Sequence, residues 1–379
     1  MKKISILGST GSIGVNTLNV VRHLKEQFSV EAIAAHSNID LLEKQAKEFN
    51  PKIIAVFDET KALDLKKRMP QWEIVAGLEG LKAVATYSSV ELVICAMSGT
   101  KGIIPTVEAI NAKKTIGLAN KEALVSAGAY IIPLAHKNNV EIIPIDSEHS
   151  ALFQCLRGEN LKEVSRLIIT ASGGPFLNYT DEQLKNVTAE QALRHPNWSM
   201  GPKVTIDSST LMNKGLEIIE AHWLFNIPLS QIDVIIHPQS IIHSMVEFQD
   251  RSIMAQMGEP SMITPIQFAL TYPNRMPGLL KPFNLLAKPT LEFFEPNFSR
   301  FRCLRLAYEA MEKGGSLPCF MNAANEILVH SFLQKKITWN QIGEKLDKLM
   351  HLHKIQTIDS LETILEIDQI AREEAKKEL

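Results

Sequence analysis

The sequence predicts an α/β protein built from an N-terminal parallel sheet, a central α+β domain and a C-terminal helical bundle. Three patterns indicate this fold class. Up to about residue 145, short β-rich runs alternate with helical patterns, which is the rhythm of βαβ units. Consecutive strand-like runs appear late in the next stretch, up to about residue 272. Beyond about residue 300, only helical periodicity remains.

Length and composition limit the classes of protein to consider. A chain of 379 residues holds two or three domains at about 150 residues each. Its 40 basic and 42 acidic residues leave a net charge of -2, so no general attraction to nucleic acid or anionic lipid is expected. Apolar runs such as residues 53–57 are far too short to cross a bilayer. Four scattered cysteines without a Cys-x-x-Cys pair indicate neither a disulfide framework nor a zinc knuckle, and the reducing cytoplasm fits best.

The predicted elements divide the chain into four segments. The first, residues 1–145, has strand-like runs at 4–7, 30–35, 53–57, 92–96, 115–118 and 140–144. The second, residues 146–272, has them at 166–170, 203–206, 233–237, 241–248 and 252–256. Five prolines with little periodicity make residues 273–299 an extended linker. In residues 300–379, Thr338 with Gln341 and Asp359 with Glu362 have capping-box spacing, so each pair is expected to open a helix.

A nucleotide site is expected near the N-terminus. The run Gly8-Ser-Thr-Gly-Ser-Ile-Gly14 stands between a strand pattern and a helix pattern. As in a Rossmann-like domain, this arrangement presents backbone N–H groups and the positive end of a helix dipole to a pyrophosphate. A tight turn without a ligand is the alternative, but the βα context favours the nucleotide.

The end of the second predicted strand favours NADP(H) over NAD(H). Sites for NAD usually carry an acidic residue there, which binds the ribose hydroxyls. This chain has His36-Ser37-Asn38 instead, so no carboxylate repels a 2′-phosphate. The alternative is that His36 and Ser37 are ordinary loop residues.

Two acidic residues follow the last strand pattern of the first segment. If the extended conformation continues, Asp146 and Glu148 lie on one face, where they repel each other unless a cation or a proton intervenes. A capped helix start at Asp146 or Ser147 explains the same residues at least as well.

A polar stripe runs along the helical pattern of residues 208–225, which is otherwise apolar. The stripe consists of Thr210, Asn213, Lys214 and Glu217. Polar groups on such a helix need partners, whereas a solvated face would carry more charge. Lys214 and Asn213 could hold an anion, and Glu217, one turn away, could join Asp146 and Glu148. Three carboxylates without an obligatory His or Cys suit Mg²⁺ or Mn²⁺ better than zinc.

Two loops have chemistry suited to a phosphorylated substrate. The turn Ser172-Gly-Gly-Pro-Phe176 can present a hydroxyl and backbone N–H groups to a phosphate. The segment 194–200 combines titratable, aromatic and apolar groups, as a substrate lid would. A plain turn and a packed surface loop are the alternatives. Chemistry alone assigns no role to His237-Pro-Gln-Ser240.

In combination, these motifs resemble the 1-deoxy-D-xylulose 5-phosphate reductoisomerase family, in family order and over essentially the whole chain. The matching motifs are Gly8-Ser-Thr-Gly-Ser-Ile-Gly14, Leu118-Ala-Asn-Lys-Glu122, Asp146-Ser-Glu-His149, Ser172-Gly-Gly-Pro-Phe176, His195-Pro-Asn-Trp-Ser-Met-Gly201, Met212-Asn-Lys-Gly-Leu-Glu217, His237-Pro-Gln-Ser240 and Asn322-Ala-Ala-Asn-Glu326. One departure is His36-Ser37-Asn38, where some members have Gly-Lys-Asn.

The resemblance implies a cytoplasmic, homodimeric, NADP-dependent oxidoreductase of non-mevalonate isoprenoid biosynthesis. Such an enzyme rearranges and reduces 1-deoxy-D-xylulose 5-phosphate to 2-C-methyl-D-erythritol 4-phosphate. The implied contacts to NADPH are Thr10, Gly11, Ser12, Ile13, Asn38, Asn120, Glu122 and Gly201. The implied contacts to the sugar phosphate are Lys121, Ser147, Glu148, Ser172, His195, Ser208, Asn213, Lys214 and Glu217. One magnesium or manganese ion is implied on Asp146, Glu148 and Glu217, and these three act with Lys121 and His195 as the implied catalytic residues.

Two other functions are compatible with parts of the sequence. An NADP-dependent semialdehyde dehydrogenase shares a similar glycine loop but needs a nucleophilic cysteine with a basic partner. Cys155 lies in the apolar pattern of residues 151–156, where a packed thiol is expected. A nucleotide-sensing binding protein without turnover would need neither the carboxylates nor the lid.

Overall fold

The computed structural model describes residues 1–198 and 200–379, which form two compact units. The first unit comprises Met1–Ala123, Ile131–Ser150 and Ser261–Pro282. The second comprises Leu124–Tyr130, Ala151–Pro260 and Phe283–Leu379. The helices α6 (Lys121–Asn138) and α7 (Ser147–Cys155) carry residues of both units.

The first unit is built on a parallel sheet. Its strands are β1 (Lys2–Leu7), β2 (Phe28–Ala35), β3 (Ile53–Val56), β4 (Glu73–Ala76), β5 (Leu92–Cys95), β6 (Thr115–Leu118) and β7 (Ile142–Pro144). The remaining helices of this unit are α1 (Ser12–His23), α2 (Ile39–Phe49), α3 (Glu59–Arg68), α4 (Gly77–Ala85), α5 (Ile103–Asn111) and α12 (Ile263–Thr271). The strand order is β4-β3-β2-β1-β5-β6-β7, and every pair is parallel. The order reverses direction between β1 and β5, and ligands of such sheets bind beyond the carboxyl ends of the strands at that point.

The predicted α/β class and the alternation of strands and helices are confirmed. The sequence does not predict β4, because this edge strand has four residues of which Glu73 and Ala76 are exposed, so it lacks an apolar run. The predicted second segment extends to residue 272, whereas α12 lies in the first unit. Its Ile266 and Leu270 are fully buried in the core of the parallel sheet, and Lys2 Nζ donates to Leu270 O at 3.0 Å.

The second unit contains a four-stranded mixed sheet and most of the helices. Its strands are β8 (Val164–Ala171), β9 (Ile232–Ile236), β10 (Ile242–Phe248) and β11 (Ile253–Met257), in the order β11-β10-β8-β9. Its helices are α8 (Asp181–Leu184), α9 (Ala189–Ala192), α10 (Pro202–Ser209), α11 (Met212–Phe225), α13 (Arg302–Lys313), α14 (Leu317–Leu333), α15 (Trp339–Leu352) and α16 (Leu361–Lys377). Among the described helices, none has the combined length and apolarity of a membrane span.

Two local predictions for this unit are wrong. The β-branched run at 203–206 belongs to the helix α10, because Gly201 serves as the N-cap and Pro202 has its φ already set for the first helical turn. The helix α16 starts one residue later than the predicted Asp359 cap, and Ser360 Oγ accepts the Thr363 N–H at 3.1 Å. The Thr338 capping box at the start of α15 is confirmed, as is the predicted C-terminal helical bundle.

Candidate active site

The glycine-rich turn between β1 and α1 is shaped by close backbone contacts. Gly8 has a φ of +94°, and a Cβ there would lie 2.7 Å from Ala96 O. A Cβ on Gly14 would lie 2.3 Å from Gly8 O, but one on Gly11 would meet the same oxygen only at 3.5 Å, an ordinary contact. Gly8 and Gly14 are therefore required for the turn to close, while Gly11 is not sterically restricted in this way.

The turn also has the features of an anion site. Gly11 is the N-cap of α1, and no described side chain caps this helix. The first N–H groups of α1 are therefore available to an anion bound at the turn. Ser9 is buried and held by Gln45, which accepts from Ser9 Oγ at 2.7 Å and donates to Ser9 O at 2.9 Å. The predicted contacts Thr10, Ser12 and Ile13 belong to this rigid turn and its first helical residues.

Asn120 adds a polar group to the same unit. Its side chain is 3% exposed, and its Nδ2 donates to Gly99 O at 2.9 Å. Gly102 makes room for it, since a Cβ there would lie 2.3 Å from Asn120 Nδ2. Within residues 1–198 and 200–379, Asn120 Oδ1 is buried without a hydrogen-bond donor. A bound dinucleotide with its many hydroxyl and amide donors would satisfy this oxygen, so the cradle and the asparagine both fit such a ligand.

The other predicted cofactor contacts have mixed surroundings. Asn38 caps α2, where its Oδ1 accepts the Leu41 N–H at 3.3 Å. Glu122 is buried in the first turn of α6. Gly201 is exposed at the start of α10 in the second unit, and a Cβ there would meet nothing within 4 Å.

Asp146 lies immediately before α7. The strand β7 ends at Pro144 and Ser150 N donates to Asp146 O at 2.8 Å, so the helix-start alternative is correct and the extended one is wrong. Asp146 Oδ1 accepts the Ser147 N–H at 3.0 Å, and Oδ2 lies 2.5 Å from the ammonium Nζ of Lys121. Ser147 Oγ donates to Glu148 Oε2 at 2.6 Å. The first unit thus brings a buried lysine and two carboxylates to one helix start.

The polar stripe on α11 is buried, so the alternative of a solvated face is wrong. Glu217 is 1% exposed and Lys214 is 4% exposed, and the two form an ion pair. Asn213 Nδ2 donates to Glu217 Oε1 at 2.5 Å. Because a charge buried among apolar groups is costly unless it is paired, these contacts indicate an ionised carboxylate and an ammonium.

Two serines and a histidine meet in the second unit. His195 Nε2 lies 2.9 Å from Ser172 Oγ and 3.1 Å from Ser208 Oγ. Gly173 and Gly174 both have positive φ, and a Cβ on Gly174 would lie 2.6 Å from Ser208 O. The glycines after Ser172 therefore allow its turn to pack closely on the end of α10, which aligns the two hydroxyls.

The protonation of His195 follows from its partners. Its Nδ1 accepts backbone N–H groups from Asn197 at 3.1 Å and Trp198 at 3.0 Å. Burial, and then the nearby charge of Lys214, lower the pKa of His195 to about 4. The ring is thus neutral at physiological pH, and since Nδ1 is an acceptor, the proton is on Nε2 and points at the serine hydroxyls.

The predicted lid, residues 194–200, is hydrogen-bonded through Asn197 to the segment His237–Ser240. Asn197 Nδ2 donates to Pro238 O at 2.5 Å and to Ser240 Oγ at 3.0 Å, which gives His237-Pro-Gln-Ser240 the role that its sequence did not reveal. Trp198 is half-buried, and Ser199 lies outside the described residues.

Sequence reasoning also missed the residues that fix α10 on both sides of Ser208. Asn325 Nδ2 donates to Asp207 Oδ1 at 2.9 Å, and Trp339 Nε1 donates to Ser209 Oγ at 2.9 Å. The signal that could have revealed this contact is Asn325 itself, an amide among the apolar residues of the buried face of α14. Polar groups in that position need partners.

Cys155 lacks the surroundings of a catalytic nucleophile. Cys155 ends α7 and is buried, and burial raises the pKa of its thiol to about 11. A thiol with such a pKa is protonated and unreactive. Cys155 therefore gives no support to the semialdehyde dehydrogenase hypothesis.

Comparison with known proteins decides the family. A family model described as 1-deoxy-D-xylulose 5-phosphate reductoisomerase matches residues 4–128, and two models for C-terminal domains of this enzyme match residues 142–225 and 257–374. The reductoisomerase of Protochlamydia amoebophila (strain UWE25) is 64% identical over 377 residues, covering 100% of this chain and 98% of its own length. The chain belongs to the 1-deoxy-D-xylulose 5-phosphate reductoisomerase family. A Bacillus cereus (strain Q1) reductoisomerase is 55% identical, with 98% of each chain covered.

Solved structures of the reductoisomerase family have the same fold. The Zymomonas mobilis reductoisomerase in complex with NADPH gives a TM-score of 0.94 at 40% identity and covers 99% of this chain and 98% of that one. A reductoisomerase in complex with NADPH, fosmidomycin and magnesium gives 0.93 at 38% identity, with 100% and 98% covered. Membership in a reductoisomerase family makes this chain an enzyme rather than a nucleotide-sensing binding protein.

Proposed function

We propose that this chain binds NADPH and one divalent ion and converts 1-deoxy-D-xylulose 5-phosphate to 2-C-methyl-D-erythritol 4-phosphate, a step of non-mevalonate isoprenoid precursor synthesis. The observation that carries the proposal is the similarity to the Protochlamydia reductoisomerase, which extends over the full length of the chain. The contacts within each unit support the separate roles as follows.

NADPH is proposed to lie on the carboxyl ends of the strands in the first unit. The turn from Gly8 to Gly14 and the N-terminus of α1 would hold its pyrophosphate, and the buried Asn120 Oδ1 would accept one of its donors. The proposed contacts are Thr10, Gly11, Ser12, Ile13, Asn38, Asn120, Glu122 and Gly201. The relative from Zymomonas mobilis was solved with this cofactor.

The divalent ion, magnesium or manganese, is proposed to be held by Asp146, Glu148 and Glu217. The donor set fits a hard cation, because it consists of carboxylate oxygens alone. When bound, the ion supplies positive charge that stabilises the negative charge developing on substrate oxygens. Asp146 and Glu217 each already have an ammonium group as a partner, so both positions accommodate a positive charge beside the carboxylate.

The phosphate of the substrate is proposed to bind in the second unit. Ser172 and Ser208 present hydroxyls, and the neutral His195 orients them through Nε2. Lys214 and Asn213, on the adjacent stripe, would add charge and an amide donor. Binding energy from this remote group can be used to close the site and position the reacting carbons.

Two further roles complete the proposed mechanism. Lys121, held by Asp146, would contribute positive charge near the reacting oxygens, beside Ser147 and Glu148. Trp198 would cover the site and exclude water during hydride delivery. The catalytic residues in this proposal are Lys121, Asp146, Glu148, His195 and Glu217.

The test is NADPH oxidation by the purified chain with 1-deoxy-D-xylulose 5-phosphate. Turnover is expected with Mg²⁺ or Mn²⁺ present, to be lost after complete chelation and to return when either ion is restored. Product identity is checked by mass spectrometry against 2-C-methyl-D-erythritol 4-phosphate. Undiminished turnover in demetallated protein would contradict the metal role, and the absence of turnover with both ions would contradict the function.

A homodimer is part of the proposal, with β11 as the contact strand. Ile253 and Met254 on this edge strand are 52% and 42% exposed, and no strand in residues 1–198 or 200–379 pairs with its outer side. The opposite edge strand, β9, is partly covered, because its Ile236 forms an antiparallel β-bridge with Phe294. An exposed apolar edge is a template for pairing with a second chain.

Light scattering on the eluting protein is expected to give twice the chain mass of 42.3 kDa. The substitution Ile253→Lys should shift the mass toward one chain at micromolar concentration, because a buried lysine at a strand edge opposes pairing. Leu63→Lys, at an exposed leucine of α3, serves as the matched control and should not change the mass. A monomeric wild-type protein would refute the dimer.

A cytoplasmic location is also proposed. All four cysteines are buried free thiols, a state that a reducing compartment maintains.

A further inference from the structure

Lys101 lies in a short turn, Thr100–Gly102, that follows β5. In the sheet, β5 and β2 lie on opposite sides of β1. Lys101 Nζ is 3.5 Å from His36 Nε2, although the two residues are 65 positions apart in the chain. The same Nζ lies 4.9 Å from the centre of the Phe57 ring. Side chains from the carboxyl ends of three strands, β5, β2 and β3, therefore meet at one point.

These contacts form a small platform with a cation at its edge. The rings of His36 and Phe57 stack, with centres 5.3 Å apart and planes 28° apart. His36 and Lys101 are both exposed, so the cluster is not part of the hydrophobic core. An exposed lysine gains little from folding back on an aromatic ring, because ordering its long side chain costs entropy. Its position beyond the carboxyl ends of the strands, where sheets of this kind bind their ligands, points to a ligand.

The position identifies the part of the ligand. In sheets of this kind, the pyrophosphate lies on the glycine turn after the first strand, and the end of the second strand reaches the ribose of the adenosine half. An acidic residue there selects the free 2′-hydroxyl, and a basic group nearby accommodates a 2′-phosphate. The residues after β2, His36-Ser37-Asn38, contain no carboxylate and no lysine or arginine. Lys101 brings a full positive charge to this point from a different strand.

We propose that Lys101, together with His36, binds the 2′-phosphate of NADPH and determines the preference of this enzyme for NADPH over NADH. This inference rests on the proposed function, because it concerns the cofactor of that reaction. The ammonium group offers three N–H donors to the phosphate oxygens, and the stacked His36 ring, whose Nε2 lies 3.5 Å from the ammonium, would be a second polar group beside that phosphate.

The experiment is isothermal titration of full-length wild-type and Lys101→Met protein with NADPH and, separately, with NADH. The Kd for NADPH is expected to rise about 10- to 100-fold in the variant, as for loss of a charged hydrogen-bond partner. The Kd for NADH should change less than about twofold, because NADH has no phosphate at that position. Lys101→Arg should keep most of the NADPH affinity. Lys66→Met, at an exposed lysine of α3, is the matched control and should bind both cofactors as the wild type does.

Two outcomes would overturn the inference. An equal loss of NADPH and NADH affinity would show that Lys101 only supports the local structure, and an unchanged NADPH Kd would show that it does not contact the phosphate. Failure of the inference is distinguishable from failure of the proposed function. The first appears in the ratio of the two binding constants, and the second appears as wild-type protein that binds NADPH but forms no product.

Discussion

Glu217→Gln is expected to lower kcat by about 1,000-fold or more while NADPH binding stays within about twofold of wild type. Glutamine has the shape of glutamate but no negative charge, so it removes one of the three proposed anionic ligands of the metal. The proposed cofactor site lies on the strands of the first unit and does not include Glu217. The measurements are steady-state turnover at saturating Mg²⁺ and a separate NADPH titration by fluorescence.

The same substitution removes a charged partner of a buried ammonium, because Glu217 pairs with Lys214. A lower melting temperature is therefore also expected, and activities are compared at a temperature where circular dichroism shows both proteins to be folded. Glu190→Gln is a suitable control, because Glu190 is an exposed glutamate whose partner Lys335 is also exposed. Wild-type turnover in folded Glu217→Gln would remove this residue from the site.

Gly14→Ala is expected to lower the free energy of unfolding by about 3 kcal/mol, with weaker NADPH binding as a consequence. The new methyl group would lie 2.3 Å from Gly8 O and 2.4 Å from Ser9 Cα. Both are backbone atoms, so no side-chain rotation can relieve the overlap and the turn itself must move. Chemical denaturation measures the loss of stability, and NADPH titration measures the effect on the site.

Gly11→Ala is the matched control within the same turn. Its φ of -78° suits any residue, and its Cβ would meet only Gly8 O at 3.5 Å. The unfolding free energy of this variant should stay within about 0.5 kcal/mol of wild type. Similar unfolding free energies for the Gly14 and Gly11 variants would show that the contact around Gly14 does not restrict the fold.

Much of the fold could be predicted because periodicity in one chain reports local structure. The alternating runs predicted six of the seven strands of the parallel sheet, and the Thr338 capping box located the start of α15. The failures have local reasons as well. The edge strand β4 buries too little to leave a pattern, and the helix α10 carries three successive β-branched residues, Val204-Thr-Ile206.

For the candidate site, the residue types could be predicted from the sequence, but their contacts could not. The residue types on the α11 stripe could be interpreted because buried polar groups on a helix need partners. The partners themselves could not be predicted, because contacts such as Asn197 with Pro238, 41 residues apart, depend on how the chain folds back on itself. The sequence drew attention to His36, but its contacts with Phe57 and Lys101 were missed for the same reason, since neither of these two residues stands out in its own segment.

The position of α12 has a consequence for how the protein is made. Ile266 and Leu270 fill part of the core beside β1 and α1, yet more than a hundred residues of the second unit are synthesised before them. When only the first 150 residues have left the ribosome, the apolar surface that α12 later covers is therefore exposed to water or to a chaperone. The N-terminal unit can complete its core only after residue 271 has left the ribosome, which couples its maturation to the synthesis of the polypeptide in between.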